Sequence, residues 1–300
     1  MHAATLPSAQ PFNRPSTGRI NAAIRRLAEP TLWLTVKPDA ASGVHNFTPE
    51  LIAEFRRTLD EISFDSATAR VPHEFPRYAI VHSGDPNYFS QGGDLSFFLS
   101  CILKGDAEGL RRYSSSCLDV LLSWSSDFKS EMHTISLVQG RALGGGFEMA
   151  LSSDHIIAEE QSTFGFPEIM FGLFPCTGAM GLVSARTNPH VAERLMTDKK
   201  VYTAAQLLDM GLIDQVCPTG QGELAVEQYI GTHAKRRKAR MKVQQSRHRM
   251  SKIDPEEGLL VVDDWVETAM SLSPDEIRQL EMLILMQHGE RPAEPSLKVA

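Results

Sequence analysis

The sequence predicts a mixed α/β fold built on a mainly parallel sheet, with a helical C-terminal part. Three observations carry this expectation. Short β-branched and apolar runs alternate with glycine-containing loops and helical periodicity through the first half of the chain. After about residue 180 the pattern is almost wholly helical. No repeat of roughly 20 to 50 residues is evident, which sets solenoids and propellers aside. Strand–helix–strand order within one sheet calls for right-handed crossovers, and so for parallel neighbours.

Residues 1–18 are rich in Pro, Ser and Thr, and residues 291–300 are polar with Pro292 and Pro295, so both ends are expected to be flexible tails. Between them, 19–220 is expected to form the core domain and 221–290 a helical region. The run 31–36 (TLWLTV) reads as a strand. Thr48 and Pro49 then supply an N-cap and a first-turn proline for a helix whose buried stripe is Leu51, Ile52, Phe55, Leu59 and Ile62. A second strand is expected at 77–82 (RYAIVH), followed by a loop over 83–94 and an apolar helix from Leu95. Leu110, Tyr113, Cys117, Leu121, Trp124 and Phe128 recur at three to four residues and predict a long amphipathic helix over 106–128. His133–Val138 is a third strand, the glycines at 144–146 lead into a helix through about Ser153, and 155–158 (HIIA) is a fourth strand. Further helices are expected near 190–197, 203–210, 222–240, 256–271 and 274–288, with a short strand at 214–217.

The 300 residues suffice for one large domain or two modest ones, and 42% hydrophobic with 22% charged residues excludes a disordered, collagen-like or coiled-coil protein. Thirty basic against 37 acidic side chains leave a formal charge of −7, so the molecule as a whole repels nucleic acid and anionic membranes. Cys101, Cys117, Cys176 and Cys217 form no CxxC pair, which argues against a zinc ribbon or disulfide framework and fits a reducing, cytoplasmic compartment. The first twenty residues hold no apolar signal core, and the longest uncharged stretch, 169–185, is broken by Gly172, Pro175, Gly178 and Gly181. Neither a secretory signal nor a membrane span is expected. His82, His133, His155 and His190 are isolated in the sequence with no HExxH pattern, so neither a metal nor another cofactor is expected.

Candidate chemistry begins at 139–148 (QGRALGGGFE), between a strand and a helix. Glycines there let backbone approach a ligand closely, and the first N–H groups of the following helix can hold an oxyanion or a phosphate; a tight packing turn is the alternative. The dinucleotide spacing fails, because its third glycine would fall at Met149, and no Walker ending is present. Glu148 stands on that helix and Glu168 follows the run 164–167 (FGFP). A carboxyl group beside Phe147 or Phe166 loses water and shifts toward the range useful for acid–base work, whereas an ordinary helix Glu is solvated. Gly92-Gly93-Asp94 offers a second bare backbone amide, or simply a turn. Two such amides converging on one oxygen would form an oxyanion hole.

The order Gly-Gly-Asp, then GGGFE about fifty residues on, then Pro-Glu about twenty residues later, resembles the crotonase (enoyl-CoA hydratase/isomerase) superfamily. The strings YFSQGGDLSFF, LVQGRALGGGFE, IIAEE, FGFPEIMFGLFP, AAQLLDMGLIDQV and WVETAM look like its bacterial diffusible signal factor synthases, from about residue 20 to 288. The resemblance implies a crotonase-like spiral of ββα turns with two near-perpendicular sheets, in place of a doubly wound sheet, and C-terminal helices covering an acyl pocket. It implies that the amides of Gly93 and Gly145 grip a thioester carbonyl and that Glu148 and Glu168 are the acid/base pair, Glu168 at C2 and Glu148 on the hydroxyl side, or the reverse. It implies dehydration of a 3-hydroxyacyl thioester, carried by acyl carrier protein or coenzyme A, to a cis-2-enoyl thioester. Hydrolysis would then release a cis-2-unsaturated fatty acid used in cell-density signalling. A regulatory protein partner and a homo-oligomer are further implied associations. The alternatives are an ordinary enoyl-CoA hydratase or isomerase without hydrolysis, and a non-catalytic scaffold that binds acyl groups or a partner.

The chain departs from the synthases at Cys176 and Thr177, where they commonly carry glycine and methionine. Cys176 offers a thiol, but no histidine is near it in sequence and the implied chemistry needs no nucleophile, so it reads as packed and inert. Residues 228–253 lack any acid, while Lys235, Arg236, Arg237, Lys238, Arg240, Lys242, Arg247, Arg249 and Lys252 supply positive charge. This run is either a solvated helix face or a docking surface for an acidic carrier or coenzyme A phosphates. Phe97, Phe98, Phe171, Leu173, Trp265 and Met282 are candidates to line an acyl tunnel.

Overall fold

The structure is a computed structural model that describes residues 18–68, 75–127, 132–251 and 253–289. Both expected tails, apart from Gly18, lie outside the described residues, as do Phe128 and Lys252. The strands are β1 (Ile20–Arg26), β2 (Pro30–Val36), β3 (Tyr78–Ser83), β4 (Tyr88–Ser90), β5 (His133–Val138), β6 (Arg141–Leu143), β7 (His155–Glu159), β8 (Thr163–Gly165), β9 (Tyr202–Thr203) and β10 (Gln215–Cys217). The helices are α1 (Pro49–Thr68), α2 (Leu95–Lys104), α3 (Ala107–Leu122), α4 (Gly145–Leu151), α5 (Ala179–Arg186), α6 (Pro189–Thr197), α7 (Ala204–Asp209), α8 (Gly222–Ala234), α9 (Arg237–Met250), α10 (Pro255–Met270) and α11 (Pro274–Gly289).

Two sheets result. The larger has the order β1-β2-β3-β5-β7-β10, antiparallel between β1 and β2 and parallel elsewhere. The smaller has the order β4-β6-β8-β9, parallel except between β8 and β9. Each turn of the chain places one strand in the large sheet, a three-residue strand in the small sheet, then a helical segment: β3-β4-α2, β5-β6-α4, and β7-β8 into a 3-10 turn at Glu168–Phe171. This is the ββα spiral, and the simple doubly wound sheet suggested by periodicity gives way to it. A three-residue strand is too short to leave a period, which is why β4, β6 and β8 read as loop. The antiparallel edge strand β1 and the helix α5 were likewise not anticipated.

Alternation along the strands divides the core. Leu32, Leu34, Ala79, Val81, Val138, Ile156 and Ala158 face the larger apolar cluster, which also takes the whole stripe Leu51, Ile52, Phe55, Leu59 and Ile62 of α1. Trp33, Tyr78, Ile80, Ile135, Leu137 and Ile157 face the opposite way, against Ala225, Val226 and Ile230 of α8. Burying one leucine- or phenylalanine-sized side chain stabilises by roughly 1.5–3 kcal/mol, so both faces hold the sheet. Local signals operate as read: the Thr48 hydroxyl accepts from Leu51 N–H at 3.3 Å, and Asp94 caps α2 by accepting from Phe97 N–H at 3.1 Å.

The helical part differs in detail from expectation. The segment expected as one helix over 222–240 is two, because Arg236 leaves helical geometry at φ −135° and ψ 32°. The long helix ends at Leu122 and runs on as a π turn over Ser123–Asp127. Of the region expected to cover the pocket, α10 and α11 do so, whereas α8 packs on the far face of the large sheet. Among the described residues no helix is long and apolar enough to cross a membrane.

Candidate active site

The strands β4, β6 and β8 lie side by side and parallel, so the segments that follow them emerge at the same end. Gly93 lies three residues beyond β4, Gly145 two beyond β6, and Glu168 three beyond β8. These segments meet over a mostly apolar cavity of about 340 Å³. Its walls include Ile52 and Phe55 of α1, Phe98 of α2, Cys117 of α3, Trp265 of α10, and Leu283 and Met286 of α11. Phe98, Phe171, Leu173 and Trp265 line it as anticipated. Phe97 and Met282 do not: Met282 is 59% exposed, and its neighbour Leu283, a hundred degrees around the helix, faces inward instead.

Gly144 has φ +51°, the left-handed region open to glycine, and a methyl group built on it would lie 2.3 Å from Glu168 Oε1. On Gly145 the same methyl would lie 3.8 Å from the Gly93 nitrogen and 3.9 Å from Glu148 Oε2. The two glycines thus stand between the two carboxyl groups, with the Gly93 amide beside them. The Gly145 N–H is the first of α4 and has no partner within the helix. Neither it nor the Gly93 N–H donates to an acceptor among the described residues. Tyr113 fixes the Gly93 segment: its hydroxyl donates to Phe47 O at 2.5 Å and accepts from Asp94 N–H at 3.2 Å. Sequence periodicity marked Tyr113 only as helix core.

The carboxyl groups differ. Glu148 is buried, and its Oε1 accepts from the N–H groups of Thr177 at 2.8 Å and Ala179 at 3.0 Å. Ala179 is the first residue of α5, so that donor is one the helix leaves unpaired. Glu148 Oε2 accepts from the Thr177 hydroxyl. Burial nevertheless moves the Glu148 carboxyl above its ordinary range, against the pull of these donors. Glu168 follows Pro167 at the head of the 3-10 turn, and its buried Oε2 has no hydrogen-bond partner. Burial first, and the charge of Glu148 second, push Glu168 up to about 8. At neutral pH Glu168 therefore retains its proton, whereas the three donors on Glu148 favour its anionic form against burial. Phe147, next to Glu148 in the chain, and Phe166, two residues before Glu168, are buried and stack on each other at 4.9 Å between ring centroids.

Cys176 also lines the cavity, and burial raises its thiol well above the ordinary range, so thiolate is scarce. Within the basic run, described from Lys235 through Arg249, no residue lines the cavity; Arg247 and His248 of α9 reach Asp154, the latter at 2.6 Å. His133 and His155 are not isolated in space. His133 stacks on His233 at 4.4 Å, and His155 stacks on Tyr229 at 3.8 Å, between the large sheet and α8. Among the described residues no group of three or more His, Cys, Asp and Glu is placed to hold a metal ion. Thr177, noted in the sequence only as a departure, is the functional neighbour that sequence reasoning missed: nothing local signals a bond to a carboxyl 29 positions away.

Residues 44–260 match the family model described as enoyl-CoA hydratase/isomerase. Peroxisomal bifunctional enzyme of Cavia porcellus is 29% identical over 148 residues, which is 49% of this chain and 19% of that protein. Carnitinyl-CoA dehydratase of Salmonella agona is 28% identical over 148 residues, 49% of this chain and 53% of that protein. The chain thus spans about half of one relative and about a fifth of the other. The crystal structure of enoyl-CoA hydratase from Bacillus halodurans superposes with a TM-score of 0.69 at 22% identity, covering 88% of this chain and all of that one, a likeness of fold.

Proposed function

The chain belongs to the enoyl-CoA hydratase/isomerase family, and from that premise we propose that it adds and removes water across C2 and C3 of an acyl thioester. One observation carries the reading: two carboxyl groups of unlike surroundings flank Gly144-Gly145, where two unengaged amides adjoin an apolar cavity. A thioester oxygen placed between the Gly93 and Gly145 N–H groups gains charge as C2 or C3 reacts. One such donor is worth roughly 10²–10³ in rate. In hydration, Glu148 takes a proton from water, whose oxygen bonds to C3. The C2–C3 π electrons move to the thioester oxygen as an enolate, and their return draws the Glu168 proton onto C2. One proton passes in net from Glu168 to Glu148, and solvent exchange restores it. Dehydration runs the same steps backward, with Glu168 at C2 and Glu148 at the hydroxyl oxygen.

The segments 88–98, 137–148, 156–160 and 164–175 support a finer reading through their likeness to diffusible signal factor synthases. In it the substrate is a 3-hydroxyacyl thioester of acyl carrier protein or coenzyme A and the product is cis-2-unsaturated. Water then gives a proton to Glu148 and bonds to the carbonyl carbon in the same oxyanion hole; the tetrahedral oxyanion collapses with cleavage of the C–S bond, and the proton on Glu148 passes to the leaving thiolate, giving the free acid and the carrier thiol. A hydratase without this last step is the second reading. Glu168 serves C2 chemistry in both readings, so only the hydrolytic step divides them, and the match of residues 44–260 to the hydratase/isomerase model favours the second. A scaffold would need neither glutamate.

Incubation of the purified chain with 3-hydroxyacyl carrier protein and with the matched coenzyme A thioester, followed by mass analysis, tests these readings. Free cis-2-enoic acid supports the finer one, and interconversion of intact thioesters supports the hydratase. No turnover of any 3-hydroxyacyl or 2-enoyl thioester overturns the proposal.

A further inference from the structure

Resting on the acid–base reading of Glu148, we propose that Thr177 is a positioning residue: its hydroxyl selects Oε2 as the working oxygen of Glu148 and serves that oxygen both with and without a proton. Oε1 is held by two backbone N–H groups, at 2.8 and 3.0 Å. An N–H has no lone pair, so a proton on Oε1 would break at least one of these bonds. The proton must therefore enter and leave at Oε2. That oxygen lies on the substrate side, 3.9 Å from a methyl position on Gly145, beside the Gly93 nitrogen.

A hydroxyl both donates and accepts. Toward the carboxylate, Thr177 Oγ1 donates its hydrogen. When Oε2 has taken a proton from water, rotation about the Thr177 C–O bond presents a lone pair, and Oγ1 accepts instead. No heavy atom moves between the two states. A third N–H at this place would trap the carboxylate, and an apolar side chain would leave a buried oxygen unpaired. Because the backbone N–H and the hydroxyl that hold the two oxygens belong to one residue, the carboxyl plane is fixed as well. Glu168, with Oε2 unpartnered, has no counterpart of this device.

The test compares Thr177→Val, which keeps the branched shape, with Thr177→Ser, which keeps the hydroxyl. For 2-enoyl thioester hydration, Thr177→Val should lower kcat about tenfold while KM stays within about twofold. The acid limb of its kcat profile should move up by about one pH unit, because a donor to the anion has been lost. Thr177→Ser should restore both to within about threefold. Carbonyl NMR of protein labelled with ¹³C at the glutamate carboxyl, with the Glu148 signal assigned by its loss in Glu148→Gln, should show the same upward titration shift and its rescue. Unchanged kcat and acid limb in a folded Thr177→Val, or a serine variant as impaired as the valine one, would overturn the inference. The NMR arm needs no turnover. A wild type inactive on every thioester would sink the proposed function, while an unshifted Glu148 titration in Thr177→Val would sink the role of Thr177.

Discussion

Thr177 holds both oxygens of Glu148, one through its N–H at 2.8 Å and the other through its hydroxyl, whereas Glu168, across Gly144-Gly145, keeps a buried oxygen with no partner. This asymmetry sets three donors in favour of the charged form of Glu148 and leaves Glu168 to burial, which keeps its proton on. It is the relationship from which the expected behaviour of the site follows.

Replacing either glutamate should remove proton transfer while keeping shape. Glu148→Gln and Glu168→Gln are each expected to lower kcat/KM by about 10²–10⁴, the usual worth of general acid–base catalysis, measured by the absorbance of the enoyl thioester. The double variant should be little worse than the weaker single one, because the two groups act in one step.

Glu168 should set the alkaline limb. Its proton, needed at C2 in hydration, is lost as pH rises through about 8, so hydration should decline above that value. Stability has the same sign. The native state retains this proton between the ordinary carboxyl value of 4.5 and about 8 while the unfolded chain releases it. The Glu168 contribution to stability is therefore fully present below pH 4.5 and falls by about 1.4 kcal/mol per unit up to about 8. Denaturant titrations of Glu168→Gln should lack this decline. An equal decline in the variant would assign it elsewhere.

The two central glycines should respond differently to alanine. Gly144→Ala must place a side chain at φ +51° and against Glu168 Oε1 at 2.3 Å, so a loss of roughly 1–3 kcal/mol in stability together with activity is expected. Gly145→Ala meets only ordinary contacts at 3.8 and 3.9 Å, yet fills the space between the Gly93 nitrogen and Glu148. It should melt within a few degrees of wild type and lose about 10² or more in kcat/KM.

The stacked histidines should make the protein sensitive to acid. Burial lowers His155 to about 4 and His233 to about 3, with the neighbouring His133 adding to both. Since the unfolded chain binds these protons near the ordinary value of 6.5, stability is present above that pH and is lost as pH falls toward 4 and 3. Tyr78 and Tyr229 bond to this cluster at 2.8 Å, and Asp154, Asp214, Arg186, Arg237 and Arg240 are among the nearby charges. His233→Gln should flatten the acid side of a melting-temperature profile.

Cys176→Ala should retain activity within about threefold, because burial first, and the charge of Glu148 second, hold its thiol far above the ordinary range. Complete loss, checked by the same hydration assay, would make Cys176 a participant.

Much of the site was legible because its parts are local. Gly93, Gly145, Glu148 and Glu168 each sit in a short string with its own glycine or proline, and their order and spacing suffice for the resemblance. The paired strands that unite them were not legible: β4, β6 and β8 have three residues each, too few for the two-residue alternation of a strand to repeat. The bond from Thr177 to Glu148 and the stack of His133 on His233 depend on distant segments. His133 and His155 do begin neighbouring parallel strands, with His155 paired to Ile135, so strand phase gave a partial signal that the sequence separation concealed.

Hydration of a 2-enoyl coenzyme A thioester in ²H₂O, read by mass spectrometry for wild type and Glu168→Gln, tests the central claim most directly. Delivery of the Glu168 proton predicts one deuterium at C2 of the 3-hydroxyacyl product with wild type and at least a hundredfold less product with the variant. Wild-type rates of deuterated product from Glu168→Gln, or no hydration by wild type, would contradict it.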